Sequence, residues 1–390
     1  MSEEIEKLVL LGATGSIGES TLEVLRQHRD RMQIVAVACN TNFEKLLAIA
    51  REFNVPHVAI YDENAFSKAK NSPNLPSGTN LYTGMEGLLQ LVGLPGVTHS
   101  LFAMVGVTGL RPALAAIEHG QKLVLANKEI LVMAGELITR KARQNGASLI
   151  PADSEHNALQ QCLLSGKPEE INRIILTASG GSFRDTSTDE MSKITPDQAL
   201  QHPNWDMGPK VTIDSSTMAN KGLEIIEAHW LFDIKPEKIQ VVVHPQSVVH
   251  SMVEYIDGSI LAQLSPPDMT FALQNALFYP NRYKKVSETI DFTKILKLDF
   301  QPPDEGRFPC LRLAREALDA GGAAPAAFNA ANEVAVDAFI ERKIGFLQIP
   351  KIIESTLKQI PSTHPENLQE VLDADQVARN LAKSYIEELV

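Results

Sequence analysis

Cysteine is scarce in this chain of 390 residues: Cys39, Cys162 and Cys310 stand far apart, with no Cys-x-x-Cys pair. That spacing argues against a disulfide framework or a thiolate zinc centre and fits a reducing, cytoplasmic compartment. Positive charge is also in deficit. Thirty-six Lys and Arg face 48 Asp and Glu, a net charge of −12, which speaks against a nucleic-acid partner while leaving room for a local basic pocket. No apolar run approaches the roughly 20 residues needed to cross a bilayer, so no membrane partner is expected. The first residues, Met1-Ser2-Glu3-Glu4-Ile5-Glu6-Lys7, are acidic and resemble neither a signal nor a transit peptide.

What is present is ordinary globular composition, 44% hydrophobic and 22% charged, in a chain too long for one core. From Leu8 to Pro151 short apolar runs alternate with amphipathic stretches. Leu8–Leu11, Ile34–Ala38, His57–Ile60, Leu101–Val105, Leu123–Ala126 and Ser148–Ile150 read as buried strands. Ile17–Gln27, Phe43–Glu52, Arg111–His119 and Glu129–Asn145 read as helices between them. This rhythm predicts an α/β doubly wound, Rossmann-like domain over 1–151. Over 152–278 the texture becomes α+β, with strands at Ile174–Thr177, Val241–Val243, Val248–Tyr255 and Ile260–Leu264. Prolines 280, 302, 303 and 309 punctuate a linker over 279–309. Helical patterns at Cys310–Leu318, Ala324–Arg342, Ile349–Gln359 and Asp375–Leu389 predict an all-α bundle over 310–390.

Gly12-Ala13-Thr14-Gly15-Ser16-Ile17-Gly18 follows the first strand and opens a helix. Glycines there allow a tight turn and close approach to a pyrophosphate, and the helix N-terminus donates to it. A plain strand–helix turn is the blander alternative, but the position in the first β/α unit favours a dinucleotide. The second strand ends Ala38-Cys39-Asn40-Thr41-Asn42. It offers no carboxylate for a ribose 2′-hydroxyl, which favours NADP over NAD, although no Arg or Lys lies in the stretch. Ala126-Asn127-Lys128-Glu129 ends another strand of the same sheet, where ligands of such folds bind. Lys128 and Glu129 could equally begin a solvated helix.

Pro151-Ala152-Asp153-Ser154-Glu155-His156-Asn157 closes the first domain. In extended chain Asp153 and Glu155 would project to one side and, with Glu224, suit Mg²⁺ or Mn²⁺. His156 would then point away. The alternative is an N-cap, with Asp153 or Ser154 starting a helix. The segment His202–Trp230 is the densest in chemistry. Asp214-Ser215-Ser216-Thr217-Met218-Ala219-Asn220-Lys221-Gly222-Leu223-Glu224 reads as a helix start with Ser and Thr as N-cap candidates, an anion socket beside a cation site. Asn220 and Lys221 share a face with Glu224. Trp205 and Met207, between Pro203 and Gly208-Pro209, read as the tip of a lid. Ser179-Gly180-Gly181 could present a hydroxyl and N–H groups to an anion or be a simple turn. His244 and His250 read as core residues satisfying hydrogen bonds.

Together these strings resemble the 1-deoxy-D-xylulose 5-phosphate reductoisomerase family along nearly the whole chain. The resemblance implies an NADPH domain, a connective catalytic domain and a C-terminal four-helix bundle, assembled as a homodimer. It implies that Thr14, Gly15, Ser16 and Ile17 contact the pyrophosphate, and that Asn42, Asn127, Glu129 and Gly208 border the rest of the cofactor. Asp153, Glu155 and Glu224 would be metal ligands for Mg²⁺ or Mn²⁺. Ser179, Ser215, Asn220 and Lys221 would hold the phosphate of a sugar-phosphate substrate, with His202 closing over it. Lys128, Ser154 and Glu155 would face the reacting carbons, and Lys128, Glu155 and His202 would be the catalytic groups. Family members often carry Gly-Lys-Asn or Gly-Ser-Asn at Asn40-Thr41-Asn42, so only Asn42 matches there. The implied reaction is a metal-assisted carbon–carbon rearrangement followed by hydride transfer from NADPH.

Two rivals are set against this. A semialdehyde-type dehydrogenase needs a nucleophilic Cys beside a His, a setting that Cys162 and Cys310 lack. A non-catalytic NADP sensor would have no use for three carboxylates beside a phosphate socket.

Overall fold

Strand β1 (Glu6–Leu11) is buried along its last four residues and β5 (His99–Phe102) along its whole length. Strands apolar on both faces belong inside a parallel sheet covered by helices on either side, and that is where they lie. The structure, a computed structural model, describes residues 5–201, 205 and 207–389. The chain forms two units. The first takes the chain up to Ile130, then Ile138–Asn157 and Asp268–Glu288; the second takes Leu131–Leu137, Ala158–Pro267 and the chain from Thr289 onward.

In the first unit β1 leads through α1 (Ser16–Gln27), β2 (Met32–Cys39), α2 (Phe43–Phe53), β3 (His57–Ile60), α3 (Glu63–Lys70), β4 (Asn80–Thr83), α4 (Gly84–Val92) and β5 to α5 (Leu110–Glu118) and β6 (Lys122–Leu125). Helix α6 (Glu129–Asn145), β7 (Ser148–Pro151) and the start of α7 (Ser154–Leu163) follow. The seven strands are all parallel, in the order β4-β3-β2-β1-β5-β6-β7. The order reverses between β1 and β5, and the crevice at such a reversal, beyond the carboxyl ends of the strands, is where this fold binds ligands.

The second unit contains β8 (Ile171–Ala178), two single-turn helices α8 (Thr188–Met191) and α9 (Pro196–Ala199), then α10 (Pro209–Ser216) and α11 (Ala219–Phe232). Strands β9 (Ile239–Val243), β10 (Val249–Tyr255) and β11 (Ile260–Leu264) complete a mixed sheet ordered β11-β10-β8-β9. Helix α12 (Met269–Phe278) returns to the first unit, where Leu273, Ala276 and Leu277 enter the core beside Leu22 and Leu25 of α1. Beyond it, no helix or strand stands between Phe278 and α13 (Cys310–Ala320). Helices α14 (Ala324–Ile340), α15 (Gln348–Gln359) and α16 (Leu368–Leu389) then form the helical C-terminal region. Helix α14 is buried almost all round, as the central member of a helical group must be.

Candidate active site

The glycine loop sits between β1 and α1. Gly12 has φ +92°, and a Cβ there would lie 2.4 Å from the carbonyl oxygen of Ala103, so only glycine fits. No side chain caps α1. Gly15 donates its N–H to the Gly12 carbonyl at 3.2 Å within the loop, and the N–H groups of Ser16 and Ile17, beside the half-buried Thr14, open the helix in the kind of start that suits an anion. Gly12 and Ala13 both donate their N–H to the Ala38 carbonyl of β2, at 3.0 and 2.9 Å, which holds the loop against the second strand. Asn42 caps α2, its side chain accepting the Lys45 N–H at 3.3 Å. Lys45 itself is a residue the motif reading passed over. Its Nζ donates to the Thr14 carbonyl at 3.0 Å and pairs with Glu19 at 2.8 Å. The signal was a cation in the first turn after the second strand.

Strands β6 and β7 are neighbours, so the residues that follow them emerge side by side. Lys128 Nζ donates to Asp153 Oδ2 at 2.7 Å, and both side chains are largely buried. Lys128 and Glu129 do begin α6, but in the interior rather than in solvent. Asn127 spends its amide on the next loop: Nδ2 donates to Met104 and Gly106 carbonyls at 2.6 and 3.0 Å, while Oδ1 accepts from Ile130 N–H at 3.2 Å.

The expectation of extended chain through Asp153–Glu155 is corrected. Helix α7 begins at Ser154, so Glu155 stands in its first turn. Asp153 precedes the helix, and its Oδ1 accepts the Glu155 N–H at 3.2 Å, because a carboxylate satisfies the open N–H groups of a helix start. Carboxylate oxygens of Asp153 and Glu155 still lie within 4.8 Å of each other. Ser154 Oγ donates to Glu155 Oε2 at 2.5 Å, and the fully buried His156 holds Nδ1 3.3 Å from Asp153 Oδ1. The capping alternative is thus realised without dispersing the carboxylates.

In the second unit, Ser179-Gly180-Gly181 follows β8. Gly181 has φ +69°, and a Cβ on it would come within 2.6 Å of the Ser215 carbonyl oxygen, so the turn is pressed against the end of α10. The two hydroxyl-bearing stretches, Ser179 and Ser215, are brought together this way. The expected cap is corrected: Ser215 and Ser216 end α10, and α11 starts after Met218 in a left-handed conformation (φ 63°) with no side-chain cap. Thr217 Oγ1 accepts the Ala219 N–H at 3.3 Å and donates to the Asp214 carbonyl at 3.2 Å. On α11 the predicted face is real. Asn220 Nδ2 donates to Glu224 Oε1 at 2.5 Å, and the Lys221 ammonium pairs with the same carboxylate. Lys221 and Glu224 are both buried, so each charge compensates the other.

Gly208 is the exposed N-cap of α10. His202 lies outside the described residues. The Trp205 ring stands edge-on to His250, centroids 6.3 Å apart. His244 is a satisfied core residue as expected: Nδ1 donates to the Asp299 carbonyl at 2.8 Å, and Nε2 accepts the N–H groups of Val248 and Val249. All three cysteines are buried. Burial pushes the thiols of Cys39 and Cys310 up to about 12 and that of Cys162 up to about 11, far from nucleophilic character.

Residues 8–135 match the family described as 1-deoxy-D-xylulose 5-phosphate reductoisomerase, residues 149–232 its C-terminal domain, and residues 264–381 the DXP reductoisomerase C-terminal domain. The 1-deoxy-D-xylulose 5-phosphate reductoisomerase of Chlorobium chlorochromatii is 49% identical over 97% of this chain and 99% of its own. That of Pseudomonas putida is 48% identical over 98% of each. The Zymomonas mobilis enzyme solved with NADPH is 45% identical with a TM-score of 0.92, covering 98% of this chain and 100% of that one. A DOX-P reductoisomerase crystallised with NADPH, fosmidomycin and magnesium superposes with a TM-score of 0.94 at 42% identity, covering 99% of both. The chain belongs to the 1-deoxy-D-xylulose 5-phosphate reductoisomerase family.

Proposed function

We propose that this chain converts 1-deoxy-D-xylulose 5-phosphate to 2-C-methyl-D-erythritol 4-phosphate, using NADPH and a divalent cation. The observation that carries the reading is the Lys128–Asp153 pair with Glu155 beside it, at the carboxyl ends of β6 and β7 in a member of this family. The donor chemistry fits the cofactors. Asp153, Glu155 and Glu224 offer hard carboxylate oxygens suited to Mg²⁺ or Mn²⁺. The uncapped start of α1, entered through a turn at Gly12 (φ +92°) that only glycine allows, suits a pyrophosphate, with Thr14, Gly15, Ser16 and Ile17 as its contacts. Asn42, Asn127, Glu129 and Gly208 border the remainder of the cofactor.

When bound, the cation polarises the substrate's ketone and neighbouring hydroxyl oxygens and NADPH supplies the hydride. The protein's own part is positioning and charge. Lys128 holds a positive charge beside the carboxylates, where negative charge develops on substrate oxygen. Ser154 and Glu155 face the carbons whose bond breaks and re-forms. Ser179, Ser215, Asn220 and Lys221 anchor the phosphate, and His202 closes over it. Phosphate binding far from the reacting carbons can thereby drive closure and exclude water.

The enzyme acts as a homodimer. Support comes from β11, an open sheet edge on which Ile260 and Leu261 are exposed, a feature that calls for a covering partner. Among the described residues no helix is long and apolar enough to cross a membrane. The deciding assay is NADPH consumption on adding 1-deoxy-D-xylulose 5-phosphate with Mg²⁺, with the product isolated. Oxidation that is indifferent to chelator or to the pentulose phosphate would overturn the assignment.

A further inference from the structure

Reading a nicotinamide dinucleotide phosphate requires something that recognises its 2′-phosphate, and in this fold that group lies beyond the end of the second strand. Here Asn40-Thr41-Asn42 follows β2 without an Arg or Lys. Asn42 is occupied in capping α2, and the nearby Asp62, whose N–H donates to the Asn40 carbonyl, turns its carboxylate onto Ala65 N–H at 2.7 Å. A hydroxyl and an amide on an exposed turn give no charge selectivity. Lys45 supplies the missing charge. It stands in the first turn of α2, and its Nζ reaches across to the Thr14 carbonyl at 3.0 Å, bridging the turn after β2 and the glycine loop after β1.

Its second contact is Glu19, at 2.8 Å, in a pair whose side chains are 36% and 40% exposed. A solvated pair of this kind holds its partners weakly, and salt screens it further. A phosphate dianion offers the ammonium a stronger, charge-assisted contact. The four-carbon stem lets Nζ swing without moving the helix. Lys45 is therefore held at the loop by contacts it can give up.

We propose that Lys45 is the specificity-determining residue for NADPH over NADH in this chain, its ammonium exchanging Glu19 for the 2′-phosphate; this rests on the cofactor reading above. Glu19 then serves as a gate of opposite sign. It neutralises Lys45 in the free enzyme and leaves an unphosphorylated ribose with no charge to attract it.

The test is direct binding of NADPH and of NADH to the free full-length enzyme by calorimetry, without turnover, for wild type, Lys45→Met and Lys45→Arg. Lys45→Met is expected to weaken NADPH about tenfold or more, the scale of one lost charge-assisted contact, while NADH changes less than about twofold. Lys45→Arg is expected to keep the preference for NADPH. Unchanged NADH binding also reports that the variant is folded. Parallel loss of both nucleotides, or loss of neither, in a background where wild type binds NADPH would overturn the role of Lys45 alone. A wild type that binds neither nucleotide would overturn the cofactor reading and this inference with it.

Discussion

The side-chain amide of Asn332, in the middle of α14, donates a 2.8 Å hydrogen bond to Oδ1 of Asp214 on α10, and both residues are buried. Lys210 holds the other carboxylate oxygen at 2.8 Å from one turn away. A helix of the C-terminal region thus grips the helix that carries Ser215 in its last turn. Buried carboxylates persist only when both oxygens are answered. Asn332→Leu keeps the volume but leaves one oxygen of Asp214 unanswered. It should lower unfolding free energy by about 1–3 kcal/mol, measured as a shift in denaturant midpoint. An unmoved midpoint would show that the pair contributes nothing.

Glu224 accepts from Asn220 and Lys221 and is the proposed metal ligand of the second unit. Glu224→Gln should cut turnover by at least about a hundredfold, as losing a ligand outweighs losing an outer-shell contact. NADPH affinity should stay nearly intact. Wild-type turnover in the variant with added Mg²⁺ would remove Glu224 from the metal site.

The buried thiols make a clean negative test. Iodoacetamide at neutral pH should leave native activity unchanged, because Cys39, Cys162 and Cys310 are both inaccessible and held as neutral thiols. Full alkylation should appear only after denaturation. Rapid inactivation paired with labelling of one cysteine would revive a thiol mechanism.

His99, at the start of β5, is held down to about 4 by burial and by the neighbouring Lys122, against a smaller opposing effect of Glu6. The unfolded imidazole titrates near 6.5. Between these values the unfolded chain binds the extra proton, so stability rises with pH and is lost as pH falls from about 6.5 toward 4. The loss from this group should be of order 3 kcal/mol. Urea unfolding of His99→Gln should show a flatter pH dependence across that window; an identical slope would exonerate His99.

The parts of the fold that were legible were those written in long apolar runs or strong periodicity. Strand β1, the glycine loop and helix α6 emerged within a residue or two of expectation, because a doubly covered sheet leaves no freedom in composition. Strand β4 and helices α3 and α4 went unread. β4 is a half-buried edge of four residues, and α3 buries little beyond Ala65 and Ala69, so neither leaves a hydrophobic signature. At the site, residue types were legible but local geometry was not. The Asp153–Glu155 pair was expected in extended chain, whereas the preference of Asp for a helix start decided the backbone. Lys45 went unseen because its relevance depends on where the turn after β2 lies against the glycine loop, a relation that spacing along the chain does not encode.

The return of α12 has a practical corollary. Leu273 and Leu277 cover Leu22 and Leu25 of α1, yet they lie more than 200 residues away along the chain. A truncated fragment ending near Pro151 would carry the whole seven-stranded sheet and still expose a greasy stripe on the very helix proposed to receive the pyrophosphate. Anyone wishing to excise a free-standing nucleotide-binding module from this enzyme must graft that distant helix back on.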